Sequence, residues 1–130
     1  MSYAMTVRLS TGFGPTVERV RAALKDQGFG VLTEIDMRST LREKLGADVE
    51  DYVILGACNP PLAHRAMQAD PAIGLLLPCN VVVRAEGADS TVVQAMDPQV
   101  MVQLSDAPEL RGVADEAAAR LRAALDVLSA

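Results

Sequence analysis

The sequence predicts an α+β domain: one mostly antiparallel sheet with helices packed on one face. Three observations carry this reading. Short β-rich segments alternate with helical ones, two strands flank a tight turn as a hairpin, and the 130-residue chain closes on a long amphipathic helix. The order strand, helix, strand, short helix, strand, helix, strand, strand, helix mixes a hairpin with crossovers. That favours an antiparallel sheet over a doubly wound parallel one, the weaker alternative.

Met5, Val7 and Leu9 alternate with Thr6, Arg8 and Ser10, the pattern of a half-buried strand. Phe13-Gly14-Pro15 sets up a helix start, with Pro15 where a missing N–H costs nothing. Val17, Val20 and Leu24 share its stripe and Gly28 stops it. Phe29 to Ile35 is a second strand, with Val31, Thr33 and Ile35 alternating against Leu32, Glu34 and Asp36. Between Asp36 and Gly46, Met37, Leu41 and Leu45 mark a short amphipathic helix whose Arg38, Arg42, Glu43 and Lys44 form a solvated face. Tyr52-Val53-Ile54-Leu55 is continuously apolar, as in a strand covered on both sides or central in its sheet, and Gly56-Ala57-Cys58 closes it. Asn59 caps a helix begun by Pro60 and Pro61 and ended by Asp70-Pro71, with Leu62, Ala63, Ala66 and Met67 as its buried face. Gly74 to Pro78, apolar but fenced by Gly and Pro, reads as a buried loop or turn leading into the next strand. Val81 to Glu86 and Thr91 to Met96 then pair across Gly87-Ala88-Asp89-Ser90. Val100 to Leu104 carries no assignable pattern. Pro108 opens the last helix, with Leu110, Val113, Ala117, Leu121, Ala124 and Leu128 as its core stripe.

Half of the residues are hydrophobic, enough to build a core without disulfide or metal staples, and with no linker, repeat or low-complexity tract the span 1–130 reads as a single domain. Twelve Lys and Arg against 17 Asp and Glu leave a net charge of −5, and the arginines are scattered among acids. No basic stripe displaces counterions, so neither nucleic acid nor a membrane surface is an expected partner. No apolar run is long enough to span a bilayer, and Met1-Ser2-Tyr3 lacks a basic-then-apolar export start, which makes the cytoplasm the expected location.

The residues with chemical potential are two Cys-Asn pairs. Cys58-Asn59 ends one predicted strand and Cys79-Asn80 begins another, so neighbouring strands would bring both thiols to one edge of the sheet. A thiol ahead of a helix is pushed toward thiolate, the form that attacks electrophiles and binds metals. Pro60 and Pro61 blunt that effect by removing two amides, and Asn59 is left to cap chiefly the Leu62 amide. Against this stands plain packing, because free Cys is among the most buried residue types. Asn80 has a turn or a ligand to satisfy, since Asn is depleted in strands. His64, the only histidine, must carry any general-base proposal, yet helical geometry turns it away from the buried face. Cys58, Cys79 and His64 would supply three zinc ligands, without the spacing of a ribbon or finger. Gly12-Phe13-Gly14 lacks the rest of a nucleotide loop, no Gly-x-Ser-x-Gly elbow occurs, Asp48, Glu50 and Asp51 read as a solvated loop, and the six methionines read as core filler.

Across Cys58-Asn59-Pro60 before a helix, the Asp70-Pro71 break, and Leu77-Pro78-Cys79-Asn80 before a Val-rich strand, the sequence resembles the family called domain of unknown function 302, from about Met5 to Leu128. The resemblance implies a compact α+β domain similar to the TATA-box-binding-protein fold, and a homodimer. It implies no particular reaction and no cofactor, and shared architecture is no argument for DNA binding. Ala117, Ala118, Ala119, Ala123 and Ala124 give the last helix more smooth surface than one stripe needs, an expected seat for a partner subunit. The leading expectation is a binding module holding a small ligand or metal at Cys58, Asn59, Cys79 and Asn80, with His64 nearby. The alternatives are a thiol-dependent enzyme or redox protein using Cys58 with Cys79, and an interaction domain in which these residues are structural.

Overall fold

The computed structural model describes residues 2–129; Met1 of the export reading and Ala130 lie outside the described residues. Among these residues the chain runs β1 (Ala4–Leu9), α1 (Phe13–Asp26), β2 (Gly30–Asp36), α2 (Met37–Leu45), β3 (Tyr52–Cys58), α3 (Pro60–Ala69), a 3-10 helix (Pro71–Leu76), β4 (Cys79–Ala85), β5 (Thr91–Met96), α4 (Gln99–Leu104) and α5 (Leu110–Leu128). The strands form one sheet in the order β1-β5-β4-β3-β2, with every neighbouring pair antiparallel. The expected α+β class is the observed one.

Pleating divides the sheet into two faces. Met5, Val53, Leu55, Val81, Val83, Val93 and Ala95 point to one side and join Val17, Val20 and Leu24 of α1 with Leu121, Ala124, Leu125 and Leu128 of α5 in the main core. Burying each such Val or Leu is worth about 1.5–3 kcal/mol relative to exposure. A second cluster, Leu62, Ala66, Ile73, Met101, Leu110, Val113, Ala114 and Ala117, ties α3, the 3-10 helix and α4 to the first half of α5. The last helix therefore serves both cores. Ala117 and Ala124 are buried, Ala118 and Ala123 are half-buried, and Ala119 alone of the five is exposed, so much of this small-residue surface packs within the chain.

The other face of the sheet has no helical layer across its centre. Val82, Tyr52 and Ile54 are half-exposed there, and Ile35 is 46% exposed. Tyr52 to Leu55 is thus flanked by strands on both sides but covered on one face only. At the far end of this open face, Arg8 and Arg84 both pair with Glu86, at 3.4 and 3.5 Å, and as register partners of Val92 their stems cover it completely.

Several local features depart from the periodicity. In β2 the register slips between Val31 and Thr33, so Val31 faces the helices while Thr33 and Ile35 pass to the open face and Glu34 turns inward to pair with Arg21 of α1. The alternation expected from Val31 through Ile35 is broken by this bulge. Helix α2 is well capped, with the Asp36 carboxylate accepting from the Ser39 amide and Gly46 left-handed at φ 67°, yet it buries no residue and Leu45 is 74% exposed. Met67 of α3 also lies in solvent rather than on the buried face. Gly74 to Pro78 does lead into β4 but is not wholly buried: Gly74 to Leu76 belong to the 3-10 helix, and Leu75 is 88% exposed. The unassigned 100–104 segment is helical and inserts Met101 into the second core.

Candidate functional site

The register of β3 against β4 places Ala57 opposite Cys79, so Cys58 sits one residue further along on the neighbouring strand. Both cysteines line one small cavity of about 30 Å3 at the seam between the two cores, together with Asn59, Leu77, Pro78 and Met101. Phe29 and Ala57 wall it from the sheet side, and Leu62 and Ala66 of α3 from the other. The space is of the order needed by one small occupant, since a single water takes roughly 10–15 Å3 on this measure. The register brings the two cysteine residues to one margin of the sheet, while pleating turns the Cys58 side chain to the face opposite Ala57 and Cys79. Both cysteines are free, with Cys79 buried and Cys58 half-buried.

Local chemistry fixes this geometry. Asn59 precedes two prolines at the helix start, and its Oδ1 accepts from the Leu62 amide at 3.3 Å, as the missing amides of Pro60 and Pro61 require. The Asn59 amide group rests against Gly28. A Cβ there would stand 3.0 Å from Nδ2, and the residue is left-handed at φ 84°, so glycine is demanded twice. That glycine closes α1 in a Schellman turn, with the Phe29 amide donating to Leu24 and the Gly28 amide to Lys25. The same turn delivers Phe29 to the cavity wall. Arg120 of α5 donates to the Gln27 carbonyl at 3.3 Å and pins α5 across this corner. Gly56 makes room on the open face, where an added Cβ would stand 2.8 Å from Pro78 Cγ and closer still to the Thr33 hydroxyl. Pro78, joined to Leu77 by a cis peptide, can therefore close over the strand beside the thiols.

Burial pushes the Cys79 thiol up to about 11, and the neighbouring Cys58 adds to the rise through like-charge repulsion. Cys79 is thus a protonated thiol at neutral pH. The remaining sequence-predicted site residues are elsewhere. Asn80 is exposed on the open face beside Tyr52, Val82 and Gln94, because successive strand residues point to opposite sides. His64 is exposed on α3 and does not line the cavity. Among the described residues, no group of three or more His, Cys, Asp or Glu is placed to hold a metal ion, so a zinc set of Cys58, Cys79 and His64 does not assemble. What the sequence did not single out is Met101, which read as core filler and does pack in the second core, yet also lines the cavity that Cys58 and Cys79 line. Only three-dimensional proximity distinguishes it from the other methionines.

Among the described residues, no helix is long and apolar enough to cross a membrane. The crystal structure of an uncharacterized conserved protein DUF302 from Bacillus stearothermophilus is similar to this chain at a TM-score of 0.89 and 36% identity, covering 98% of this chain and 99% of that one. No curated protein matches the chain. The family model described as domain of unknown function DUF302 matches residues 5–128, which spans the sheet, both cores and the cavity between them. With sequence and architecture agreeing over nearly its whole length, the chain belongs to the DUF302 family.

Proposed function

We propose that this chain is a binding domain whose ligand site is the cavity walled by Cys58 and Cys79. The observation that carries the reading is the presence of two cysteine residues, distant in sequence, in the wall of one small apolar space. Binding is favoured over thiolate catalysis because, among the described residues, no titratable side chain besides the cysteines lines that space. His64 is exposed and does not line that space, and Cys79 is held protonated. Free thiols suit a cytoplasmic setting. Native mass spectrometry of the protein recovered from its host tests the site. Wild-type chain should retain an added mass that the Cys58→Ala/Cys79→Ala variant loses; identical spectra would oppose the reading.

A second reading concerns assembly. The open sheet face joins half-exposed Tyr52, Ile54 and Val82 to Ile35, and Met37 and Leu41 of α2 overhang its edge around a shallow hollow. Such a face supports a homodimer in which two sheets meet, self-complementary about a two-fold axis. Sedimentation should then give twice the chain mass for wild type and a single chain for Val82→Glu with a cooperative melt retained. Wild type sedimenting as one chain would overturn it.

A further inference from the structure

We propose that helix α2 of each copy covers the open sheet face of a second copy, its Leu45 end packing over Ile54 and Val82 of the partner. This specifies the contact of the homodimer reading above and rests on it. Each chain carries two halves of a packing unit. Its sheet has helices across one face only, and on the other Ile54 and Val82 stand directly opposite each other, both half-exposed. Its α2 is amphipathic, with Met37, Leu41 and Leu45 at steps of four, yet buries none of them. Cover runs out along the helix: Met37 and Leu41 are half-buried beside the sheet, Leu45 is 74% exposed, and Val49 just beyond it 38%. A nine-residue helix depends on a surface for its apolar stripe, because so short a segment is marginal on propensity alone. A two-fold axis that lays each α2 on the other copy's sheet covers both features in one self-complementary contact.

Charge selects a second copy as the occupant. Arg38, Arg42 and Lys44 against Glu43 give α2 a net charge of +2, so of the chain's −5 the remainder carries −7. The helix is therefore attracted to another copy of its own acidic chain, whereas anionic lipid or nucleic acid would meet that remainder as repulsion. The face it would land on has the matching composition. One row of register partners crosses all five strands there, Thr6, Gln94, Val82, Ile54 and Ile35, and none is charged. Charge begins one row further on, with Arg8, Arg84 and the Glu86 carboxylate they share. An uncharged centre inside a charged rim is how protein interfaces are built.

Because Leu45 is largely in solvent within its own chain, Leu45→Lys separates docking from folding. Sedimentation over a concentration series should show wild type as a dimer and Leu45→Lys with a dissociation constant raised about tenfold or more. At dilutions where both are single chains, their melts should coincide. Isotope-filtered NOE spectra of mixed labelled and unlabelled wild-type chains should carry contacts from Leu45 methyls to the partner's Val82 and Ile54 methyls. A dimeric wild type with an unchanged dissociation constant in Leu45→Lys, or with filtered contacts that leave out Leu45, would overturn the α2 contact and leave the homodimer reading standing. Wild type sedimenting as one chain would overturn both. Capture of single wild-type chains by phosphatidylserine vesicles, lost in Leu45→Lys, would overturn the second copy as occupant in favour of a membrane surface.

Discussion

Leu55 and Ile54 are adjacent in β3, yet Leu55 is sealed in the main core while Ile54 stands half-exposed on the open side. The same contrast repeats in β4 between Val83 and Val82. One face of the sheet is spent on holding the domain together. The other carries apolar side chains that contribute little to the lone chain's stability and are therefore free to meet something else. The thiol cavity belongs to the covered face but lies at its margin, where the main core gives way to the α3–α4 cluster. Packing there is completed by side chains from separate elements, which is why a space remains between them.

Four measurements would break or sharpen this contrast. The largest effect is expected at Leu55→Ala, which should cost about 2–5 kcal/mol in denaturant unfolding, whereas Ile54→Ala should cost clearly less. Equal losses would erase the distinction between the faces. Next comes Gly56→Ala, where the new methyl meets Pro78 and Thr33 from the open side; overpacking of this kind costs about 1–3 kcal/mol. A neutral result would mean that the open face is looser at this point than its covered counterpart.

The two remaining measurements use pH. Cys79, on the covered side, has a folded-state pKa of about 11 against an ordinary 9.0, so its contribution is intact below about pH 9 and is lost as pH rises toward 11. The protein should therefore lose stability over that alkaline interval, and Cys79→Ala should flatten the slope. Asp36, at the exposed start of α2, behaves in the opposite sense. The Ser39 amide, then its hydroxyl, hold the carboxylate below its ordinary 3.8. Its stabilisation is complete above that value and disappears as pH falls through the depressed one. Because Asp36 is solvated, the effect should be the smallest of the four, read as a slight loss of acid-side slope in Asp36→Asn melts.

Much of this was legible from residue patterns. The β4–β5 hairpin followed from two β-rich runs around Gly87 and its polar neighbours, and the Asn59 cap on Leu62 followed from the two prolines, because only one geometry leaves that amide free. That Cys58 and Cys79 lie on neighbouring strands at one margin of the sheet followed from both standing at strand termini. Illegible features were those decided by what lies across space. Periodicity marks Met37, Leu41 and Leu45 as an apolar stripe but cannot say that no layer covers it. The slip in β2 reassigns Thr33, Glu34 and Ile35 by a single residue, an offset that alternation alone cannot reveal. Met101 reaches the cavity wall only because α4 folds back against α5, and its own segment has too few residues to announce a helix.

The irregularity in β2 has an outcome for how these molecules behave when crowded. An edge strand with unbroken alternation offers its free amides and carbonyls as a template for another strand, the route to fibrils. Here the offset kinks that template and turns the charged Glu34 toward α1, so lateral growth of the sheet is discouraged. Pairing along the β2 edge is thereby hindered, whereas β1, the opposite edge of the sheet, keeps an unbroken register.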